Sequence, residues 1–99
     1  MYAMTGRLTA QLGQRGELVH ILEQAADLVG ELPACRLYLV CEDLSNDTDV
    51  WVFEAWDDKP AHDASLTDAR VRALIAEARP LLAAAPDGAE LEIVGGYGV

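Results

Sequence analysis

The chain has 99 residues, 52% of them hydrophobic, and its 17 acids against seven lysines and arginines give a formal net charge of −10 at pH 7. This length suits one domain, which we assign to residues 1–99. A surface so acidic repels phosphate backbones and anionic lipids, which argues against nucleic acids and membranes as partners.

The first half of the chain predicts a strand, a helix and a second strand. Residues 2–10 alternate between two faces, which is typical of a strand. Residues 17–32 carry apolar side chains at helical period, and Pro33 ends that helix. Residues 34–42 predict the second strand.

The second half predicts a strand, two helical segments and a last strand. A polar turn at residues 45–49 joins the second strand to a third at residues 50–56, so the two form a hairpin. Asp57 and Asp58 are candidate caps for a short helix that ends near residue 66. Thr67 and Asp68 can then cap a longer helix that continues to residue 82, with a kink at Pro80. Residues 86–88 predict a turn, and residues 90–94 the last strand.

This order of elements predicts an α+β fold of the ferredoxin-like type, β-α-β-β-α-β, with a four-stranded antiparallel sheet. The helices of such a fold cover one sheet face. The second and third strands nevertheless carry large apolar side chains on both faces. On the second strand Leu37 and Leu39 oppose Tyr38 and Val40, and on the third Trp51 and Phe53 oppose Val52 and Trp56. We therefore expect a homodimer in which two sheets pack face to face.

The cysteines and the hydropathy pattern bear on location. Cys35 and Cys41 are six residues apart on one predicted strand, about 20 Å and beyond disulfide reach. Neither has metal-ligand spacing to a histidine, so no metal site is predicted. No uncharged apolar run approaches the roughly 20 residues of a spanning helix, and residues 1–7 lack the pattern of a signal peptide. We expect a cytoplasmic protein with reduced thiols.

Few side chains offer chemistry near neutral pH. His62, just inside the short helix, is the candidate proton acceptor, with an ordinary helix-surface histidine as the alternative. His20 lies on the polar side of its helix and is interpreted as an inert surface residue. Trp56 is interpreted as a core or interface residue, with stacking on a planar ligand as the alternative.

Glu54 shares a strand face with Trp56. A carboxylate on a largely apolar face is costly unless it is paired. We therefore expect Glu54 to meet Arg7, Arg36 or a helix arginine, either as a structural ion pair or as part of an active site.

The strand–helix junction carries a resemblance to a known family. Residues 50–62 read Val-Trp-Val-Phe-Glu-Ala-Trp-Asp-Asp-Lys-Pro-Ala-His. This segment resembles the signature of the antibiotic biosynthesis monooxygenase family, in which an E-x-W strand end precedes a helix with an early alanine. Residues 32–35 resemble the family's L-x-G-C entry to the second strand, and residues 79–82 are similar to the end of its second helix. The resemblance covers essentially the whole chain.

The resemblance implies a dimeric α+β barrel with a cavity in each subunit between sheet and helices. Characterised members oxidise polycyclic phenols or hydroquinones to quinones with O2 and use no metal, flavin or haem. A deprotonated, electron-rich aromatic can itself pass an electron to oxygen, so the protein need only hold it, desolvate it and manage protons. The expectation is therefore that this chain needs no cofactor and takes O2 as co-substrate.

The resemblance also suggests roles for residues. Trp56 matches a tryptophan that lines the family's cavity, and His62 falls where an actinorhodin-type member has a pocket tyrosine; both are expected to be catalytic. Expected substrate contacts are Tyr38, Glu54, Ser65 and Arg72.

The chain departs from the family pattern in three places. Ser65 stands where many members have a histidine, and Val52 aligns with the actinorhodin-type pocket asparagine. The haem-degrading branch needs an asparagine and a histidine at positions that are here Gly6 and Ile75, which argues against haem ligation.

Three functions stay open at this point. The first is a cofactor-free monooxygenase that acts on a quinol-like aromatic, which predicts O2 uptake that is indifferent to chelators. The second is a non-catalytic dimeric small-molecule binder or stress-related protein on the same scaffold, which predicts ligand binding without O2 uptake. The third is an isomerase of the muconolactone type, which shares the barrel.

Overall fold

The computed structural model describes residues 1–99, which form one antiparallel sheet and three α-helices. In chain order the elements are β1 (Tyr2–Thr9), α1 (Arg15–Val29), β2 (Cys35–Glu42), β3 (Asp49–Trp56), α2 (Lys59–Ser65), α3 (Ala69–Ala78), a 3₁₀ turn (Arg79–Leu81) and β4 (Asp87–Glu92). The strand order across the sheet is β2-β3-β1-β4. The predicted ferredoxin-like α+β fold is confirmed. None of the helices is both long enough and apolar enough to cross a bilayer.

The strand register decides which side chains face the helices. On β1 and β3, Tyr2 lies opposite Trp56, Met4 opposite Glu54, and Leu8 opposite Val50. Successive side chains of a strand point to opposite faces, so all six lie on one face. This face is the one that the helices cover.

Two clusters of buried apolar side chains join that face to the helices. One lies where β1 ends and contains Ala10, Leu18, Ile21, Val50 and Ala78. The other lies where β1 begins and contains Tyr2, Val29, Trp56 and Val71. Because α3 packs mainly against α1, space remains between α3 and the sheet in the stretch between the two clusters.

Side-chain caps fix the starts of α2 and α3. The Asp58 carboxylate accepts a hydrogen bond of 2.9 Å from the Ala61 amide, and the Asp68 carboxylate accepts one of 2.8 Å from the Arg70 amide. Each satisfies an amide that has no partner within its helix. Of the predicted caps, Asp58 and Asp68 are confirmed, whereas Asp57 pairs with Arg36.

Two predicted boundaries near the C-terminus need correction. The longer helix ends at Ala78 and passes into the 3₁₀ turn, because Pro80 has no amide hydrogen to continue the α-helical bonds. The last strand begins at Asp87, three residues before the prediction, because Asp87 and Gly88 pair with β1. A Cβ atom on Gly88 would lie 2.9 Å from the Thr5 carbonyl oxygen, so this glycine permits the close pairing.

The two cysteines lie on opposite faces of the sheet, although strict alternation predicts one face. A register shift between Cys35 and Leu37 leaves Cys35 opposite Trp56, on the helix side. Cys41 lies opposite Trp51, on the outer face. Both thiols are free.

The outer face of the sheet keeps large apolar side chains at its surface. Phe53 is 41% exposed, Leu39 47% and Leu91 51%. Leu39 lies opposite Phe53 on the neighbouring strand, whereas Leu91 lies on β4 opposite Ala3, with β1 between it and Phe53. No helix of the chain covers these three side chains.

Candidate functional site

A cavity of about 370 Å³ occupies the space between the sheet, α1 and α3. Its walls are mostly apolar and come from Leu8 of β1, from four residues of α1 and from Val71, Leu74, Ile75 and Ala78 of α3. Glu54 and Arg79 are the only charged residues that line it, and Tyr38 and Ser65 add two hydroxyl groups. Apolar walls with a few polar groups are typical of small-molecule sites.

Glu54 is the buried carboxylate of this cavity. Its side chain is only 13% exposed, and its Oε1 atom accepts a hydrogen bond of 3.1 Å from the indole Nε1 of the fully buried Trp56. Burial raises the pKa of Glu54 above its ordinary value, and the bond from Trp56 and the nearby His62 offset part of that rise. The carboxyl group is therefore closer to proton exchange at neutral pH than an exposed glutamate is.

The expected arginine partner of Glu54 is wrong. Arg7 lies opposite Trp51 on the outer face and pairs with Asp87 at 2.6 Å. Arg36 pairs with Asp57 at 2.7 Å. Arg7 and Glu54 therefore lie on opposite faces of the sheet. The polar neighbours of the Glu54 carboxylate are instead the Trp56 indole and the His62 imidazole.

His62 lies directly behind Glu54. Its Nε2 atom is 3.9 Å from Glu54 Oε1, and its Nδ1 atom is 2.9 Å from Asp63 Oδ1. The ring packs on Tyr2 at a centroid distance of 5.2 Å and meets Trp56 edge-on at 5.7 Å. His62 is buried, so the alternative of a helix-surface histidine is wrong. His20 is exposed and lies 3.1 Å from the side-chain nitrogen of Gln24.

Two hydroxyl groups complete the polar end of the cavity. Tyr38 lies opposite Glu54 in the β2–β3 pairing, and burial followed by the Glu54 charge raises its pKa above the ordinary value. Tyr38 therefore stays a neutral phenol. Ser65 ends α2, is buried, and donates a hydrogen bond of 2.6 Å to the His62 carbonyl oxygen.

The structure brings together five of the six residues that the sequence singled out. Tyr38, Glu54 and Ser65 line the cavity, while Trp56 and His62 support Glu54 from behind. Arg72 is exposed on α3 and does not line the cavity.

Two further residues belong to this site, although the sequence interpretation left them out. Asp63 contacts His62, and Arg79 lines the cavity at the end of α3. Arg79 could have been predicted from helical periodicity, because it follows Val71 by eight residues and Ile75 by four and so shares their side of the helix. No group of three or more side chains is arranged to hold a metal ion.

Comparison with known proteins gives a consistent result. The sequence profile of the family described as "Antibiotic biosynthesis monooxygenase" matches residues 1–77. No curated protein matches the chain.

Solved structures show the same fold over nearly the whole chain. A protein from Chloroflexus aurantiacus J-10-fl, named an antibiotic biosynthesis monooxygenase, is 37% identical, with a TM-score of 0.88 over 98% of this chain and 96% of its own. One from Deinococcus radiodurans with the same description is 25% identical, with a TM-score of 0.87 over 100% and 98%. SnoaB of Streptomyces nogalater, a cofactor-independent oxygenase, is 14% identical, with a TM-score of 0.84 over 96% and 94%.

Proposed function

Because the chain belongs to the antibiotic biosynthesis monooxygenase family, we propose that it is a cofactor-independent monooxygenase that oxidises a phenol or hydroquinone with O2 to a quinone. One observation carries the proposal. A single buried carboxylate, Glu54, lines a mostly apolar cavity and is backed by a buried imidazole. The cofactor-independent oxygenase SnoaB has the same fold, which supports the proposal at the level of architecture.

The reaction needs a base and a dry site. Removal of the phenolic proton gives an electron-rich phenolate that can pass an electron to O2. A phenol that becomes a quinone gains one oxygen atom at a ring carbon and loses two hydrogen atoms, and a hydroquinone with the same gain and loss becomes a hydroxyquinone. These hydrogens leave with the second oxygen atom as water, so that O2 accepts all four electrons. The apolar walls of the cavity exclude water from the reactive intermediates.

Glu54 is the proposed acceptor of the phenolic proton. Its raised pKa brings the carboxylate closer to the basicity that proton transfer at neutral pH favours. Tyr38 and Ser65 line the cavity with it and supply hydroxyl groups that can orient the substrate oxygen. Trp56 holds Glu54 through its indole N–H and contributes to catalysis in that way.

His62 is the proposed acceptor of the proton from Glu54. In the tautomer whose Nδ1–H donates a hydrogen bond of 2.9 Å to Asp63, Nε2 carries no hydrogen. Nε2 is the ring nitrogen on the side of Glu54 and can then accept a proton. The gap of 3.9 Å between His62 Nε2 and Glu54 Oε1 must shorten for transfer, as catalytic contacts do when substrate binds. Asp63 is exposed, so this route leads from the cavity to water.

An oxygen electrode tests the proposal directly. The purified protein is screened against a panel of phenols and hydroquinones, with and without a chelator, beside metal and flavin analysis. We expect O2 uptake above the autoxidation rate that the chelator does not reduce. Thermal shifts with these compounds but no O2 uptake would favour a non-catalytic small-molecule binder, and isomerisation of a lactone would favour the muconolactone type.

A homodimer through the outer sheet face is part of the same proposal. Phe53, Leu39 and Leu91 stay at the surface of an isolated chain, and a second copy covers them most simply because the same patch on both subunits is self-complementary. A cytoplasmic location also belongs here, since the free thiols Cys35 and Cys41 suit a reducing compartment.

A further inference from the structure

The cavity has two different ends. Tyr38 and Glu54 lie opposite each other at one end, with Ser65 beside them. Arg79 lies at the other end, where the 3₁₀ turn meets the end of β1. There the Gln11 amide donates a hydrogen bond of 2.8 Å to the Leu81 carbonyl oxygen, and the Gln11 side chain donates one of 3.1 Å to the Pro80 carbonyl oxygen. These bonds hold the backbone that carries Arg79.

The separation of the two ends follows from regular geometry. Met4, which pairs with Glu54, precedes Leu8 by four residues on β1, or about 13 Å. Val71, which packs with Trp56, precedes Arg79 by eight residues along α3 and its 3₁₀ extension, or about 12 Å. Both distances place the backbone of Arg79 about 12 to 13 Å from the level of Glu54, which leaves room for a fused-ring molecule between them. The mostly apolar walls between them suit the rings themselves.

Arg79 is unusual among the cations of this chain. Five of the seven lysine and arginine side chains, Arg7, Arg15, Arg36, Lys59 and Arg70, form ion pairs with acids. Arg72 and Arg79 form none, although 17 acids are present, and of these two only Arg79 lines the cavity. Arg79 is exposed, and its guanidinium can form charge-assisted hydrogen bonds with an anion bound in the cavity.

We infer that Arg79 binds an acidic group of the substrate, so the substrate class is an aromatic acid. Its phenolic hydroxyl points to Glu54 and its carboxylate, at the far end of the ring system, pairs with the guanidinium. A guanidinium fork matches a carboxylate with two parallel hydrogen bonds. The hydroxyl end of this assignment rests on the proposed function, while the acidic end rests on Arg79 alone.

Binding under argon tests the acidic end without turnover. The probes are 6-hydroxy-2-naphthoate, which has hydroxyl and carboxylate at opposite ends, and its methyl ester, which keeps the size but not the charge. We expect the acid to bind about tenfold more tightly than the ester. Arg79→Gln should remove that preference and leave ester binding unchanged, while Arg79→Lys should restore part of it.

Arg72→Gln is the matched control, because Arg72 is the other arginine without an ion pair and lies off the cavity. It should leave the binding of both probes unchanged. Equal affinity for acid and ester in the unaltered protein, or equal losses in the Arg72 and Arg79 variants, would overturn the inference. Selective binding of the acid without any O2 uptake would leave it intact and count against the proposed function instead. Turnover of neutral phenols without a preference for acids would do the reverse.

Discussion

Both faces of the sheet carry large apolar side chains, but the two faces differ in whether their charged groups are buried. On the helix-facing side, Glu54 is buried and has partners inside the fold, Trp56 and His62. On the outer face, Arg7 and Asp87 form an ion pair that is open to water. Exposed ion pairs contribute little to stability, whereas a buried carboxylate depends on its neighbours. Chemistry is therefore proposed for the inner face and assembly for the outer one.

Neutralising the inner carboxylate should have the largest effect on activity. Glu54→Gln keeps the shape and an oxygen that can accept the Trp56 bond, but it cannot take up the phenolic proton. We expect turnover of a substrate found in the oxygen-electrode screen to fall by about 10²- to 10⁴-fold. Glu77→Gln, at an exposed position on α3, is the control and should keep full activity. An active Glu54 variant would move the base elsewhere.

A charge on the outer face should separate the proposed subunits. Phe53→Lys places an ammonium group in the patch around Phe53, which is 41% exposed, and should weaken the dimer at least about 30-fold because a buried interface centre tolerates charge poorly. Sedimentation velocity measures the effect. Leu12→Lys is the control, since Leu12 is 83% exposed in a loop away from the sheet. A lone subunit before any substitution would contradict the assembly.

A smaller effect is expected one step behind the carboxylate. His62→Gln removes the imidazole that receives the proton from Glu54 and should lower turnover about tenfold and shift its pH profile, with a circular dichroism spectrum that stays native. His20→Gln is the matched control, because His20 is an exposed histidine on α1. Unchanged turnover and an unchanged profile in the His62 variant would leave that residue a purely structural role.

The pH dependence of stability should show the smallest effect. The pKa of Glu54 is raised from an ordinary value of 4.5, so the folded protein holds this proton more tightly than the unfolded chain does. Its contribution is fully present below pH 4.5 and is lost as the pH rises through the folded-state pKa. Glu54→Gln should therefore become steadily more stable relative to the unaltered protein as the pH rises from 4 to 7.

Urea unfolding at several pH values measures this difference. His62 and Tyr38 face Glu54 from neighbouring elements, so His62→Gln and Tyr38→Phe measured over the same range test whether the trend belongs to Glu54. A difference that is flat with pH would mean that the carboxyl is not desolvated.

Much of the fold could be predicted because alternation and helical period are local. Both sheet faces could be identified as apolar from β2 and β3, and the helix caps could be placed at residues 57–58 and 67–68. The β4 boundary could not be predicted, because Asp87 and Gly88 read as a turn until β1 pairs with them. The sheet face on which Cys35 lies depends on a register shift between β2 and β3. Such a shift arises from the pairing of two strands, so the sequence of one strand does not reveal it.

The candidate site was less predictable for the same reason. Whether Glu54 meets Arg7 or His62 depends on which residues of β1 and β3 pair, and the register puts Arg7 on the opposite face. The burial of His62 depends on how α2 lies against Tyr2 and Trp56. Arg79 could have been predicted from the sequence, because it continues the row of α3 side chains that line the cavity.

The register shift beside Cys35 bears on how the protein avoids polymerising. β2 is one rim of the sheet, and an irregular rim strand is a poor template for a strand from another molecule. The other rim, β4, has only six residues and carries Asp87, Glu90 and Glu92, so two such rims repel each other. Lateral growth into ribbons is disfavoured on both sides, so the proposed association through the outer sheet face would end at a closed pair.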